Sequence, residues 1–274
     1  MNKIFCKHLV IVIVAGLTLS FFSCNYDTPY RDTEYPEQLI YMPAAAISSG
    51  QYVINDISRI SGQLPYEGNP YRYVVDMAKR EFRVPLSAYR SGVNKNGAFT
   101  VNINVNTDVI ATINENRVDK YVLIPSGKYS LAGSVEMKNG EEVAPFDLIV
   151  DIDLLRDNYP NDIFALGVEI SSTQRERNPN LSTAAVVIYT RIMKPTADYT
   201  FSIDEGNSKR VFFRNTSLMS DNYQWNFGDG SVVSTDESPS HTYSSAGTYT
   251  VSLSATGITG EEDKSINNQI INIE

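Results

Sequence analysis

The sequence predicts an all-β chain that contains two β-sandwich domains in tandem. In residues 99–106, apolar phenylalanine, valine and isoleucine alternate with threonine and asparagine. Because successive side chains of a strand point to opposite faces, this alternation predicts strands with one buried and one wet face. The pattern returns in residues 146–154, 164–170 and, less strictly, 184–189. Turn signals such as Asn139-Gly140 separate the runs, and no stretch after the first 23 residues sustains a convincing helical period. Several short strands at this spacing favour a sandwich over a parallel sheet.

A secretion leader is predicted ahead of these domains, over residues 1–23. Lys3 and Lys7 precede an apolar run from Leu9 to Leu19, which is too short to span a bilayer. The run ends in Leu19-Ser20-Phe21-Phe22-Ser23-Cys24, which resembles a lipobox, the bacterial lipoprotein motif whose cysteine is acylated after cleavage. The resemblance implies lipidation at Cys24. An ordinary signal peptide with an incidental cysteine is the alternative.

The other cysteine and the charges after the leader fit a lipid anchor. Cys6 lies within the leader, so Cys24 has no disulfide partner after cleavage. Residues 24–37 carry dispersed acidic side chains without a hydrophobic period, which predicts a flexible acidic tether. Acidic residues soon after a lipidated cysteine resemble the surface-export signal of Bacteroidetes lipoproteins. The resemblance implies an outer-membrane protein that is held by its N-terminal lipid and faces the cell exterior.

The boundary between the two sandwiches is predicted at Lys194-Pro195-Thr196. Here a strand that ends at Met193 meets a proline, and a fresh alternation begins at Tyr199. The boundary divides the chain into domains over residues 38–193 and 196–274, and the second has the size of one small sandwich.

The C-terminal domain carries three sequence blocks in a fixed order. They read Tyr223-Gln224-Trp225-Asn226-Phe227-Gly228-Asp229-Gly230-Ser231, Ser238-Pro239-Ser240-His241-Thr242-Tyr243 and Ala246-Gly247-Thr248-Tyr249-Thr250-Val251. Together the blocks resemble the signature of the PKD domain, an immunoglobulin-like sandwich, with Asn226 in place of the usual aspartate. The resemblance covers all of residues 196–274. It implies a structural motif made of Trp225, Phe227, Gly228, Asp229, Gly230, His241, Tyr243, Gly247 and Tyr249.

The chemistry of these residues predicts a structural motif as well. Trp225 and Phe227 alternate with polar residues and should fill the space between two sheets, while the glycines around Asp229 suit a tight turn. His241 is the only histidine after the leader, and no Gly-x-Ser-x-Gly elbow or zinc-ligand pattern accompanies it. We therefore predict a structural role for His241, no catalytic residue, no metal site and no cofactor. Calcium at Asp229 is the alternative, for which the sequence shows no cluster of oxygen ligands.

The N-terminal domain carries a second and more degenerate resemblance. Its matching segments are Leu39-Ile40-Tyr41-Met42-Pro43, Glu81-Phe82-Arg83-Val84-Pro85-Leu86, Leu123-Ile124-Pro125 with Tyr129-Ser130-Leu131, and Thr183-Ala184-Ala185-Val186-Val187-Ile188. They resemble the uncharacterised immunoglobulin-like domain that follows the lipid anchor in many Bacteroidetes surface lipoproteins, some of them attached to family 18 glycoside hydrolases.

A glycoside hydrolase is the least favoured function. Residues 146–153 contain Asp147, Asp151 and Asp153 and superficially resemble the acidic strand of family 18 enzymes. The aspartate spacing differs, no catalytic glutamate follows, and the alternation predicts that the three aspartates face solvent from a half-buried strand. The (β/α)₈ barrel of that family also needs about 250 residues with alternating helices.

A tyrosine-rich insertion is the candidate ligand-binding segment. Tyr52, Tyr66, Tyr71 and Tyr73 lie among glycines and prolines in residues 50–73 without clear periodicity. Such a loop on a rigid sandwich can present flat aromatic faces on which sugar rings stack. The alternative is that these tyrosines cover the core or the domain interface.

These observations predict a non-catalytic cell-surface lipoprotein that binds carbohydrate, either a polysaccharide or a glycoprotein glycan. The alternative is a structural or adhesive protein that contacts a protein partner and uses the PKD domain as a spacer. A formal net charge of −9 excludes nucleic acid as a partner, because no basic stripe is present to displace counterions from phosphates.

Overall fold

The computed structural model describes residues 37–45, 47–48, 51–52, 54–58 and 73–274. The predicted signal peptide, Cys24 and nearly all of the tether lie outside these residues. Within the described chain, Gln38–Glu274 form one compact unit. The described part contains no helix long and apolar enough to cross a membrane.

The described part of the N-terminal domain contains fourteen strands, and twelve of them form the two sheets of a sandwich. The strands are β1 (Leu39–Tyr41), β2 (Ile47–Ser48), β3 (Gln51–Tyr52), β4 (Ile54–Ile57), β5 (Val74–Asp76), β6 (Glu81–Arg90), β7 (Phe99–Val105), β8 (Val122–Leu123), β9 (Tyr129–Leu131), β10 (Ser134–Met137), β11 (Val143–Asp151), β12 (Ile163–Ser171), β13 (Glu176–Arg177) and β14 (Thr183–Tyr189). One sheet has the order β13-β1-β6-β11-β9 with β5 beside β6, and the other has the order β10-β7-β12-β14-β4 with β8 beside β12. The small pair β2–β3 stands apart.

The predicted all-β sandwich fold is confirmed. The apolar positions of the alternating runs, such as Val101 on β7 and Leu148 and Val150 on β11, are fully buried between the two sheets. The long central pairs are antiparallel. The pairs β1–β13, β8–β12 and β4–β14 are parallel, so the sheets are mixed where short strands join them.

A helix that the sequence pattern did not predict covers one sheet. Helix α1 (Thr107–Glu115) begins because the side chain of Asn106 accepts hydrogen bonds from the backbone N–H groups of Asp108 and Val109. Its buried face packs on the outer side of β12 and β14. Those two strands are therefore apolar on both faces, which explains the weak alternation in residues 184–189.

The close approach of α1 requires a glycine at position 167. A Cβ atom there would lie 2.0 Å from the carbonyl oxygen of Asn106 and 2.2 Å from Cγ1 of Val109. The carbonyl of Gly167 also accepts a hydrogen bond from the N–H of Asn106, with an N–O distance of 2.9 Å. Gly167 therefore sets how tightly the helix start is held against the sheet.

The predicted strand over residues 146–154 is too long. Strand β11 ends at Asp151, and helix α2 (Ile152–Asp157) follows at once. The Asp151 carboxylate accepts a hydrogen bond from the N–H of Asp153 at 2.9 Å and so caps the helix. Asp153 therefore lies in the first turn of a helix and not on the solvent face of a strand.

The C-terminal domain is a second sandwich of six strands, β15 to β20. They are β15 (Tyr199–Asp204), β16 (Asn207–Asn215), β17 (Asn222–Asn226), β18 (Ser240–Thr242), β19 (Gly247–Gly257) and β20 (Gly260–Ile273). One sheet has the order β15-β16-β18 and the other β17-β19-β20. Trp225 is fully buried between them and lies 5.0 Å from the ring of Tyr199 and 5.3 Å from that of Phe213.

The two sandwiches are joined by apolar contacts and ion pairs. Met219 and Ile258 of the second sandwich pack against the core of the first. The hydroxyl of Thr259, which is 2% exposed, donates a hydrogen bond to the carbonyl of Met193 at 3.1 Å. Because these groups come from the tip of the β19–β20 hairpin and a nearby loop, the second sandwich is docked on the first.

Ion pairs surround this apolar contact. Both side-chain oxygens of Glu262 accept hydrogen bonds from Arg80 at 2.9 Å. Arg156 donates to Asp263 at 2.6 Å and contacts Glu262 at 3.0 Å. Arg80 also pairs with Asp153, so one network connects the β5–β6 turn, helix α2 and the start of β20.

Candidate functional site

An open cavity of about 570 Å³ lies on the outer face of the β17-β19-β20 sheet. We call it the polar groove. Its lining is dominated by side chains that donate or accept hydrogen bonds: the amides Asn222 and Gln224, the hydroxyls Thr235, Ser254 and Thr256, the carboxylates Asp221, Glu237 and Glu261, and Lys264, together with Tyr223.

Strand alternation and register bring these side chains together. On β17, Trp225 points into the core, so its neighbour Gln224 points outward. Gln224 lies opposite Ser254 of β19, and Asn222 lies opposite Thr256. Residues directly opposite each other on neighbouring strands share a face, so the two amides and two hydroxyls form the floor of the groove.

Several groups that line the groove are already paired. The Lys264 ammonium lies 2.9 Å from Glu261, and the side-chain amide of Asn222 donates to Asp221 at 2.7 Å. The Tyr223 hydroxyl donates to the carbonyl of Ser220 at 2.9 Å, and its ring packs against the core. The groove therefore offers hydrogen-bonding groups rather than an open aromatic face.

The groove lies beside the domain junction. Burial, followed by the negative charge of Asp221, raises the pKa of Tyr73 to about 12. Asp221 lines the groove, whereas Tyr73 packs on the core of the first sandwich. At the other side, Glu261 lines the groove and is followed in sequence by Glu262 and Asp263, which pair with Arg80 and Arg156.

The structural motif residues surround the turn after β17. Gly228 has a φ of 79°, and a Cβ atom on it would lie 2.4 Å from the carbonyl oxygen of Thr250. Only glycine combines this positive φ with such a close backbone approach. The indole N–H of Trp225 donates to the carbonyl of Asp236 at 3.0 Å, and Gly230 also has a φ of 79°.

His241 and Asp229 form a mostly buried pair at this turn. His241 Nε2 lies 2.7 Å from the Asp229 carboxylate, and the imidazole stacks flat on Phe227 with ring centroids 4.1 Å apart. Burial by itself raises the pKa of Asp229, but hydrogen bonds from Ser231 and His241 outweigh burial and lower this pKa to about 2.

The Ser231 hydroxyl does not contact His241 within this cluster. It donates to Asp229 at 2.6 Å, so the aspartate stands between the serine and the histidine. A serine nucleophile needs its hydroxyl on the histidine and the aspartate behind it. The arrangement at this turn therefore differs from that of a serine–histidine–aspartate triad.

The remaining motif residues complete an aromatic column in the same core. The Tyr243 hydroxyl donates to the carbonyl of Phe227 at 3.1 Å, and burial raises the pKa of Tyr243. Tyr249 stacks on Tyr243 with ring centroids 4.2 Å apart, and its hydroxyl donates to the carbonyl of Ser245 at 2.9 Å. Gly247 begins β19.

The structure describes two of the four tyrosines proposed for ligand binding. Tyr52 is half-buried against the cluster that includes α1, and Tyr73 stacks on Phe82 with ring centroids 5.0 Å apart. Tyr66 and Tyr71 lie outside the described residues. The ligand-binding role of this segment stays a prediction.

The carboxylates considered for hydrolysis do not share one site. Asp151 pairs with Lys128 at 2.7 Å, and Asp153 pairs with Arg80 and Arg156 at the domain junction. Asp147 lies opposite Pro85 on β6. Within the described residues no group of three or more histidine, cysteine, aspartate or glutamate side chains is placed to hold a metal ion.

The sequence analysis does not predict the residues that form the floor of the groove. The alternation that places Trp225 in the core also implies that Gln224 points outward, and this was the available signal. Which residues of β19 stand opposite Gln224 depends on a register between segments some thirty residues apart, and this register has no local sequence signature.

Two family models match the chain. A model described as the PKD domain matches residues 193–271. A second model, whose description is that of an N-terminal domain, matches residues 32–177, more than half of the 274 residues.

Solved structures resemble either one domain or both. The PKD1 domain of the Vibrio cholerae metalloprotease PrtV is 32% identical, with 30% of this chain and 98% of that chain covered and a TM-score of 0.26. A two-domain protein of unknown function from Bacteroides fragilis is 11% identical, with 87% and 95% covered and a TM-score of 0.40. A proposed carbohydrate-binding protein from Bacteroides ovatus is 7% identical, with 86% and 70% covered and a TM-score of 0.38. Because its family model covers more than half of the residues, this chain belongs to the family defined by the matching N-terminal domain, and it carries a PKD domain in its C-terminal part.

Proposed function

We propose that this protein is a non-catalytic, lipid-anchored cell-surface protein that binds carbohydrate through the polar groove. The observation that carries the proposal is the groove itself, in which amide and hydroxyl side chains from two strands converge on one exposed floor. Sugars present many hydroxyl groups that both donate and accept hydrogen bonds. Amides and hydroxyls match this chemistry because each of them can also donate and accept.

The composition of the groove favours a sugar over a protein partner. The centres of protein interfaces are enriched in aromatic and apolar side chains. Among the described residues that line this groove, the only aromatic one, Tyr223, turns its ring to the core. A ligand that lies on Asn222, Gln224, Ser254 and Thr256 would exchange hydrogen bonds with water for hydrogen bonds with the floor. The expected binding is weak and specific, as for a capture protein.

The absence of catalysis is part of the proposal. Two arrangements support it. Ser231 contacts Asp229 rather than His241, and two of the three groove carboxylates already have a partner, Glu261 in Lys264 and Asp221 in the Asn222 amide. Acid–base catalysis on a glycosidic bond needs two carboxyl groups that face each other across the bond. Incubation of the protein with each polysaccharide that it binds, followed by an assay for new reducing ends, tests this part. Release of reducing ends would contradict it.

The location follows from the leader and is likewise proposed. Acylation at Cys24 would hold the compact unit at the outer membrane, on the side of the cell exterior. Mass spectrometry of the protein from its native host tests the anchor. A mature N-terminus at Cys24 with attached acyl chains is the expected result, and an unmodified cysteine would contradict it.

Affinity gel electrophoresis with a panel of soluble polysaccharides tests carbohydrate binding. The variant Ser254→Arg places a long cation across the groove floor, and Thr200→Arg places the same side chain on β15 of the other sheet as the matched control. We expect retardation of the native protein and of Thr200→Arg, and loss of retardation in Ser254→Arg. Retardation by no polysaccharide, or equal retardation of both variants, would refute the role of the groove.

One observation favours the adhesive alternative. Phe201 and Ile203 on β15 are 38% and 41% exposed, although they share the face of β15 that carries the buried Tyr199. Such exposed apolar side chains suit contact with a protein. Adhesion of cells to a protein-coated surface that falls with Phe201→Ser, and not with Ser254→Arg, would favour this alternative.

A further inference from the structure

We infer that the ligand of the polar groove is an extended, uncharged polysaccharide chain, rather than a single sugar or a chain of acidic sugars. This inference rests on the proposed function and specifies its ligand. The feature behind it is the rest of the outer face of the β17-β19-β20 sheet, which continues from the groove along β19 and β20.

The outer face consists of successive rows of side chains that cross the sheet. Gln224, Ser254 and Ile266 form one row, and the next row is Asn226, Ser252 and Asn268. Two further rows follow on β19 and β20, Thr250 with Ile270 and Thr248 with Asn272. Each row repeats the same kind of chemistry, an amide or hydroxyl beside another polar group or an isoleucine.

The face is much longer than one sugar unit. Eight residues separate Thr256, which lines the groove, from Thr248 in the last row. At roughly 3.4 Å per residue of antiparallel strand, this separation is about 27 Å. The groove occupies one end of the face, so a chain bound in the groove can continue over the remaining rows.

The charge of the face disfavours acidic sugars. Among its outward-pointing residues in 222–226, 248–256 and 264–272, Lys264 is the only charged one, and it is paired with Glu261. The groove adds the carboxylates of Asp221 and Glu237 without a further cation. A chain with a carboxylate on each sugar would meet net negative charge in the groove and no cation beyond it.

Hydrogen bonds already join side chains within two of the four rows. The Thr248 hydroxyl donates to Asn272 at 2.9 Å, and the Ser252 hydroxyl donates to Asn268. Because these groups already have partners, less side-chain entropy is lost on binding. Ile266 and Ile270 are 55% and 68% exposed and offer apolar contact to the C–H faces of sugar rings between the polar rows.

The test compares ligand length, ligand charge and a site outside the groove. The probes are a mixed-linkage β-glucan, a galactomannan and an arabinoxylan, oligosaccharides of increasing length from whichever polymer binds, and polygalacturonate as the acidic chain. The variant Asn268→Glu adds a charge in the second row, and Thr200→Glu is the matched control on the other sheet. Affinities are measured by titration calorimetry with the full chain.

We expect the hexasaccharide of the neutral polymer to bind about tenfold or more tightly than its disaccharide. We expect Asn268→Glu to bind the neutral polymer about tenfold more weakly than the native protein does. The control should bind as the native protein does, and polygalacturonate should not bind. Equal affinity for short and long ligands, no effect of Asn268→Glu, or binding of polygalacturonate would overturn the inference while leaving carbohydrate binding intact. Failure of every polysaccharide to bind would instead refute the proposed function.

Discussion

Replacement of Arg156 by methionine perturbs the contact between the two sandwiches at one defined point. Methionine keeps much of the apolar stem of the arginine and removes only the charged end. The guanidinium donates to Asp263 at 2.6 Å and contacts Glu262 at 3.0 Å. The side chains of Arg156 and Asp263 are only 17% and 9% exposed, so Asp263 would remain mostly buried after this partner is removed.

The expected loss in free energy of unfolding lies between two reference cases. An exposed ion pair contributes about 0–1 kcal/mol, and removal of one partner from a fully buried pair costs about 3–5 kcal/mol. Glu262 is 48% exposed, so part of the network is screened by water. We therefore expect Arg156→Met to lower the free energy of unfolding by about 2–3 kcal/mol.

Urea denaturation with two optical probes measures this loss and shows where it acts. Trp225 is the only tryptophan, so its fluorescence reports the second sandwich alone, whereas far-ultraviolet circular dichroism reports both. The two curves should coincide in the native protein, because docking couples the sandwiches. In Arg156→Met the fluorescence midpoint should move to lower urea than the dichroism midpoint.

The matched control is Arg210→Met within the second sandwich. Arg210 pairs with Asp204 and its side chain is 47% exposed, so we expect a loss of about 0.5 kcal/mol without separation of the two curves. If Arg156→Met costs no more than Arg210→Met, or if the curves of the native protein already differ, the two sandwiches are not coupled through this network.

Three further predictions concern the turn after β17, helix α1 and the anchor. The pKa of Asp229 falls from 3.8 to about 2 on folding, so its contribution of about 2 kcal/mol is present above pH 4 and is lost as the pH falls towards 2. Asp229→Asn should lower stability in urea at pH 7 by about that amount and not at pH 2; equal losses at both pH values would contradict the pKa argument. Gly167→Ala should destabilise the chain by about 2 kcal/mol or more, because its Cβ would meet the Asn106 carbonyl; an unchanged urea midpoint would show that α1 shifts freely. Cys24→Ala should move the protein from the membrane fraction to the soluble fraction of its native host, and retention in membranes would exclude the lipid as the anchor.

Fold class follows from local pattern in this protein. A strand needs only a period of two in its own residues, and the runs in 99–106 and 146–151 carry this period. The blocks around Trp225 and His241 also suffice to indicate a PKD domain, because their glycines, aromatic residues and turn residues each serve a local purpose. The two sandwiches and the PKD assignment could therefore be predicted.

Helix starts were harder to predict than strands. The alternation predicts that Asn106 is one more polar strand position, yet its side chain caps α1. Asp151 has the same double role at the end of β11. Whether the chain continues as a strand or begins a capped helix after such a residue depends on tertiary packing. For α1, the packing surface is the outer face of β12 and β14.

Local alternation tells which side chains of a strand share a face, and this much about Gln224, Trp225 and Ser254 can be read from the printed sequence. It carries no information on which strands become neighbours or in what register they pair. The polar groove, the rows that extend from it and the ion pairs of Arg80 and Arg156 with β20 all join segments far apart in the chain. Such placements depend on the packing of the whole core and the docking of one sandwich on the other, and they exist only once the chain has folded.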